Sequence, residues 1–410
     1  LVVPNGSAVQ PLKPLSVQTP TGMLGLNLEE LIALHVLDMN LKLNQGRNLL
    51  NKLGGCFHHK AWQFFILSLW VFGCQEKSSD PNELAFSKDD VKEYRITAKK
   101  KMEAGNILQP TNILYKDGRI VLTEENVDTL IHILDAETLN HITSKGVAGY
   151  GPGEIPSIWN LDSGSSDSTF WAYSLEGKAF NEYNLYNSDP LSPQQIRQSE
   201  DFFLAVGITW ASSSSLMTYQ ASGEDKYVEY DLKGNRIASY GKWKSMIPGE
   251  YPDHVIAEVH QGSIRSSLVN NKIVKASIYR DRIEILDRVD GSIIGINGPL
   301  NVIPKFKVLG SSGQEGAVLS DDFLYAYTDL WLSDNLIFAL YSGKSEQQNL
   351  TLGLGKTEIF IFDYKGNPRA LLKADVPITR ITTDVDGKLL FAITEEEDPS
   401  VAIFDIPELN

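Results

Sequence analysis

Two short runs of this chain carry residue types suited to ligand chemistry. GLGKT at 353–357 ends like a phosphate-cradling loop, in which glycine amides and a lysine surround phosphate oxygens at a helix start. Such a loop needs a glycine where Leu350 stands, and the residues after Thr357 alternate as a strand does, so nucleotide binding is not expected. TDVDG at 383–387 alternates carboxylates as a calcium loop does. The twelve-residue calcium pattern would begin at Thr382 and end at Ile393, and neither supplies a carboxylate. Asp386-Gly387 therefore reads as a hairpin turn, and Glu395, Glu396, Glu397 and Asp398 as a solvated acidic loop. No GxSxG elbow is present to arm a serine.

Histidines and aromatics remain. His132, His141, His254 and His260 have the donor chemistry for a divalent metal, but no two are spaced in a way that forces them to converge. Tyr150, Trp159, Trp210, Trp243 and Tyr251, with Glu154, Glu250 and His254 beside them, are the candidates for a ligand face, because Trp and Tyr dominate binding hot spots. The same rings also suit packing between sheets, so both uses stay open.

What must position these residues is a repeat. Six strands end in an acid or amide before a turn: IHILDAE (131–137), FNEYNLYN (180–187), KYVEYDLKG (226–234), RIEILDRVDG (282–291), EIFIFDYKG (358–366) and VAIFDIP (401–407). The marks are Asp135, Asn184, Asp231, Asp287, Asp363 and Asp405, and an apolar strand precedes each of the six. Intervals of about fifty residues built from strands alone are the signature of propeller blades. The long interval from Asp287 to Asp363 reads as an extended first-strand region plus the polar loop at 342–357. Nothing follows the sixth copy that would serve as its outer strand, while KEYRITAKK (92–100) alternates and belongs to no copy. The expected fold is all-β, a six-bladed propeller closed by that N-terminal strand.

Net charge is −15, with 37 Lys and Arg against 52 Asp and Glu, which argues against a nucleic-acid partner. Both cysteines, Cys56 and Cys74, precede the repeats. Lys52 and Lys60 lead into the apolar run AWQFFILSLWVFG (61–73), which at 13 residues is too short to span a bilayer and fits the core of a secretory signal. The expected organisation is an upstream or non-native extension (1–38), a signal segment (39–73), a linker (74–90) and the propeller (91–410).

The order Val71, Phe72, Gly73, Cys74 resembles the lipobox of bacterial lipoproteins, although Phe72 departs from the usual small or β-branched residue. The resemblance implies lipidation of Cys74 and an anchor in the cell envelope, with Gln75 compatible with the outer membrane. GYGPGEIPSIW (149–159), with Gly151, Pro152, Gly153 and Glu154, and IPGEYPDHV (247–255) resemble the crossovers of NHL-type and TolB-like six-bladed propeller lipoproteins common in Bacteroidetes. That implies a module binding an envelope protein or a glycan, without a cofactor. It leaves a second reading, a lactonase- or lyase-type enzyme holding a divalent cation in the central channel.

Overall fold

Each copy of the repeat forms one antiparallel sheet because short alternating strands are joined by turns whose acids satisfy the turn amides. The computed structural model describes residues 81–102, 107, 109–243, 246–310, 315–352, 357–396 and 399–409. The segments read as extension, signal and lipobox, with Cys74, lie outside them. Among the described residues no helix is long and apolar enough to cross a membrane.

Blade 1 comprises Pro110–Lys116, Arg119–Glu124, Thr129–Asp135 and His141–Val147, and blade 2 Asn160–Asp162, Thr169–Ser174, Ala179–Asn184 and Gln195–Arg197. Blade 3 comprises Ala205–Ser212, Ser215–Gln220, Asp225–Asp231 and Arg236–Lys242. Blades 4 and 5 begin at Gly262–Ser267 and Tyr325–Leu332, and blade 6 runs Ile378–Thr383, Leu389–Thr394, Ser400–Asp405. First strands of consecutive blades meet one another around the ring, so they line the channel. Polar bonds tie them from blade to blade. Thr209 Oγ1 donates to Asp162 at 2.6 Å, the Ile381 amide to Asp329 at 2.9 Å and the Tyr115 amide to Thr382 Oγ1 at 3.0 Å.

Middle strands are buried on both faces, as in Ser215–Gln220, because each blade is covered by a neighbour on either side. The marks do what turn acids do. Asp231 accepts from the amides of Lys233 and Asn235, Asp363 from those of Lys365 and Asn367, and Asn184 from those of Tyr186 and Asn187. Asp405 differs: it pairs with Lys99 at 2.6 Å.

Closure is by the N-terminal segment, and it reaches further than the sequence predicts. Ala98–Lys101 pairs antiparallel with Ser400–Asp405 as the outer strand of blade 6. The alternating run 92–100 is not one strand, however. Its first half, Glu93–Ile96, pairs parallel with the outer strand of blade 5. Upstream, within the segment expected to be linker, Glu83–Ala85 pairs parallel with Ile293–Asn297, the outer strand of blade 4. Phe86 fixes this strap between blades 4 and 5, its ring 5.2 Å from both Phe360 and Phe362. An apolar anchor at that point turns a linker into structure.

Two insertions account for the long interval between Asp287 and Asp363. A two-stranded hairpin, Phe306–Leu309 with Gly316–Leu319, lies between blades 4 and 5 in place of the extended first strand. The 342–357 loop carries a helix, Glu346–Leu352, ahead of the GLGKT run, whose residues 353–356 lie outside the described set. Likewise IPGEYPDHV runs into a helix, Asp253–Val259, with His254 in its first turn and His260 capping its end. Pro252 starts it, and Val255, Ile256 and Val259 bury one face.

Candidate functional site

Six first strands converge on an axis, and where they begin they leave a cavity of about 700 Å³. All six blades contribute: Asn112, Asn160, Gly207, Arg265, Asp329 and Arg380 come one from each. Crossover residues Ile158, Trp159 and Gln261 complete the wall, as do Glu125, Tyr279 and Glu395 from the loops between second and third strands. The cavity therefore opens on the crossover face, and its size suits a small ligand or one end of a larger one.

Local features shape it. A Cβ on Gly207 would strike the Tyr219 ring, so only glycine there lets the ring lie across the wall, with its hydroxyl 3.1 Å from the Gly262 carbonyl oxygen. Trp159 is anchored by its amide, which donates to the Tyr173 carbonyl at 2.7 Å, while 60% of the residue stays exposed. On the opposite wall Tyr279 packs edge-on to Phe323, ring centroids 5.3 Å apart. Asp329 is buried and committed to the Ile381 amide, whereas Glu125 and Glu395 stand in solvent at the rim.

Behind the Tyr219 wall lies a buried charge network joining blades 3 and 4. The Glu284 carboxylate accepts from Lys226 at 2.8 Å, Tyr227 at 2.7 Å and Arg282 at 3.1 Å. Burial pushes this carboxyl up, and the charges of Lys226, Arg282 and Lys275 overcome it and hold it well below the usual range. Complete burial pushes the Lys275 ammonium down to about 7 against the pull of Glu284, and its Nζ sits 5.1 Å from the Tyr219 ring. Burial, then the adjacent Arg280, pushes His260 down to about 3, leaving a neutral ring.

Of the ligand-face candidates from the sequence, Trp159 alone lines the cavity, and Glu395 of the acidic loop joins it there. Trp210 and Trp243 are 3% and 0% exposed and belong to the core: Trp210 packs against Trp171, and Trp243 lies beside His260. Glu154 accepts from the Gly151 amide at 2.7 Å, which makes the Gly-Pro-Gly-Glu turn self-sufficient. Tyr150 is exposed and donates to the Glu176 carboxylate. Tyr251 packs at a tilt against Phe306, ring centroids 5.0 Å apart, and His254 bonds the Glu315 carbonyl at 2.9 Å, so both attach the helix to the inserted hairpin, while Glu250 is exposed on the preceding loop. His132 and His141 meet on the outer strands of blade 1, each within 3.0 Å of Ser144 Oγ. Among the described residues no three His, Cys, Asp or Glu side chains gather closely enough to hold a metal ion.

The residues that sequence reasoning missed are Arg265, Arg380 and the amides around them. They come from first strands, which vary most between copies. Alignment of the first strands at their starting residues would have set Asn112 and Arg380 at equivalent depth.

The sequence model of the TolB-like 6-blade propeller-like family matches residues 85–386, most of the chain. The chain belongs to the TolB-like six-bladed propeller family. Solved structures similar to this TolB-like propeller include a member of the DUF4221 family from Bacteroides vulgatus, 12% identical, covering 76% of this chain and 98% of that one at a TM-score of 0.49. The WD40 repeats of RRP9 are similar at 9% identity, 79% and 99% coverage and a TM-score of 0.46. A search of the curated proteins found no match.

Proposed function

We propose that this TolB-like propeller is a cell-envelope binding module, held to the membrane by a lipid on Cys74, that receives a protein or glycan partner at the channel mouth. One observation carries the binding reading: a cavity shared by six blades presents an exposed tryptophan on a wall that is otherwise fixed. Rigid sheets hold the loops in place, so little ordering entropy is lost on association. The anchor rests on the sequence, on the short apolar run ahead of Cys74 and the lack of further cysteines after it.

Two measurements test this reading. Trp159→Ala is expected to leave the thermal midpoint unchanged, because the ring is exposed, and to weaken binding on an array of glycans and envelope proteins by about tenfold or more. An array signal identical in the two proteins would refute the channel mouth as the binding site. For the anchor, expression in a bacterium fed an alkyne fatty acid is expected to label the full chain, and Cys74→Ser to abolish the label. Equal labelling of the two would refute lipidation at Cys74.

A further inference from the structure

The channel mouth holds two cations without carboxylate partners. Arg265 Nη1 donates to the Ile264 carbonyl at 3.2 Å and Arg380 Nη1 to the Thr379 carbonyl at 2.8 Å, each the carbonyl immediately before it. Among the described residues neither stands in an ion pair. Four other arginines do, Arg119 with Asp135, Arg236 with Asp225, Arg282 with Glu83 and Arg288 with Glu229, while Arg197 and Arg280 bond neutral groups. In a chain this acidic, unpaired guanidinium groups from blades 4 and 6 facing one cavity are an anion site in outline.

The cavity also contains unmet hydrogen-bonding capacity of both signs. Arg265 lies against the Trp331 ring at 5.6 Å, and its Nε is buried without a partner. Asn160 Nδ2 reaches the Ile208 carbonyl at 3.4 Å, while its Oδ1 is buried with no donor. An orphan donor and an orphan acceptor in the walls of one cavity are costly, and a turn of either side chain toward the channel would let a ligand complete it. A bare anion would serve the donor and leave Asn160 unmet. Hydroxyl groups would serve Asn160 and also the rim carboxylates of Glu125 and Glu395, which would repel an anion with nothing to donate.

One ligand chemistry supplies all of this: a ring to lie on Trp159, hydroxyls to donate, and an acid group for the arginine forks. We infer that the channel mouth binds an acidic saccharide, its carboxylate or sulfate held by Arg265 and Arg380. The inference rests on the binding-module reading above and names the class of partner.

Calorimetric titration of the full chain with tetragalacturonate, a sulfated chondroitin disaccharide and neutral maltotetraose tests it. One of the acidic probes is expected to bind one to one, which distinguishes carboxylate from sulfate, and to bind more weakly as salt is raised. Arg380→Gln is expected to weaken it by about tenfold or more, the loss of a charge-assisted hydrogen bond. Because Arg265 packs on Trp331, Arg265→Lys accompanies Arg265→Gln: it keeps charge and bulk but loses the fork, and it is expected to retain the thermal midpoint and still bind more weakly. Acidic binding untouched by these substitutions, or maltotetraose binding as tightly as the acids, overturns the inference. If neither acid binds while Trp159→Ala still removes an array signal, the acidic class is wrong and the binding module stands. If neither acid binds and the array is indifferent to Trp159, both readings fall.

Discussion

Glu284→Gln is expected to destabilise the propeller by about 3–5 kcal/mol, the cost of stranding buried charges after one partner is removed. The substitution keeps shape and removes only the negative charge. Lys226, Arg282 and Lys275 are left facing one another where Glu284 itself is 2% exposed and bulk solvent screens them little. Arg282 retains Glu83 through a two-pronged contact of 2.6 and 2.7 Å, so the loss falls mainly on the two lysines. A second change should give part of it back: with Lys226→Met added, one stranded cation is gone and the double variant is expected to be more stable than Glu284→Gln alone. Chemical denaturation midpoints measure both, and a loss below about 1 kcal/mol for the single variant would mean the network is not an energetic unit. The pH dependence follows in sign. A carboxyl whose folded pKa is depressed contributes stability that is complete above its unfolded value, near 4.5, and is lost as pH falls through the folded one. Glu284→Gln should therefore unfold with a shallower acid dependence than the parent.

Shortening the chain from its N-terminal side is expected to fail in steps. A chain beginning at residue 81 keeps the whole strap. One beginning at 92 loses Glu83, the Phe86 contacts and the fifth strand of blade 4, and is expected to melt at a lower temperature. One beginning at 97 also loses Glu93–Ile96 from blade 5 and is weaker again. One beginning at 103 leaves Ser400–Asp405 as an open edge and is expected to show no cooperative transition and to aggregate. Thermal scans with light scattering follow the series. A cooperative, soluble chain beginning at 103 would show that Ala98–Lys101 is decoration and not closure.

Blade number and closure could be read from the chain because they rest on local chemistry repeated in register. An acid at a strand end caps its own turn whatever surrounds it, so Asp231 and Asp363 announce themselves. The splitting of 92–100 between two blades was not legible, since alternation says that a segment pairs and not with which edge. Nor was the fate of Trp210 and Trp243. A ring on a strand suits core or surface equally, and only the neighbouring sheet decides. Arg265 and Arg380 stayed hidden for a third reason: they lie on separate blades with Asp329 between them in sequence, and ring closure alone brings them to one mouth. The Gly-Pro-Gly-Glu turn drew attention as a motif, yet the amide of Gly151 already occupies its carboxylate.

The strap also fixes an order in time. Ala98–Lys101 is synthesised before any blade, yet its partner strand is made last: the ion pair between Lys101 and Glu396 joins residues 295 apart. The closing strand must therefore wait unpaired on the ribosome, and through any export step, until the sixth sheet exists. Ring formation consequently waits on the sixth blade, slow because its decisive contact is so distant, and the waiting segment is where a chaperone would have to act.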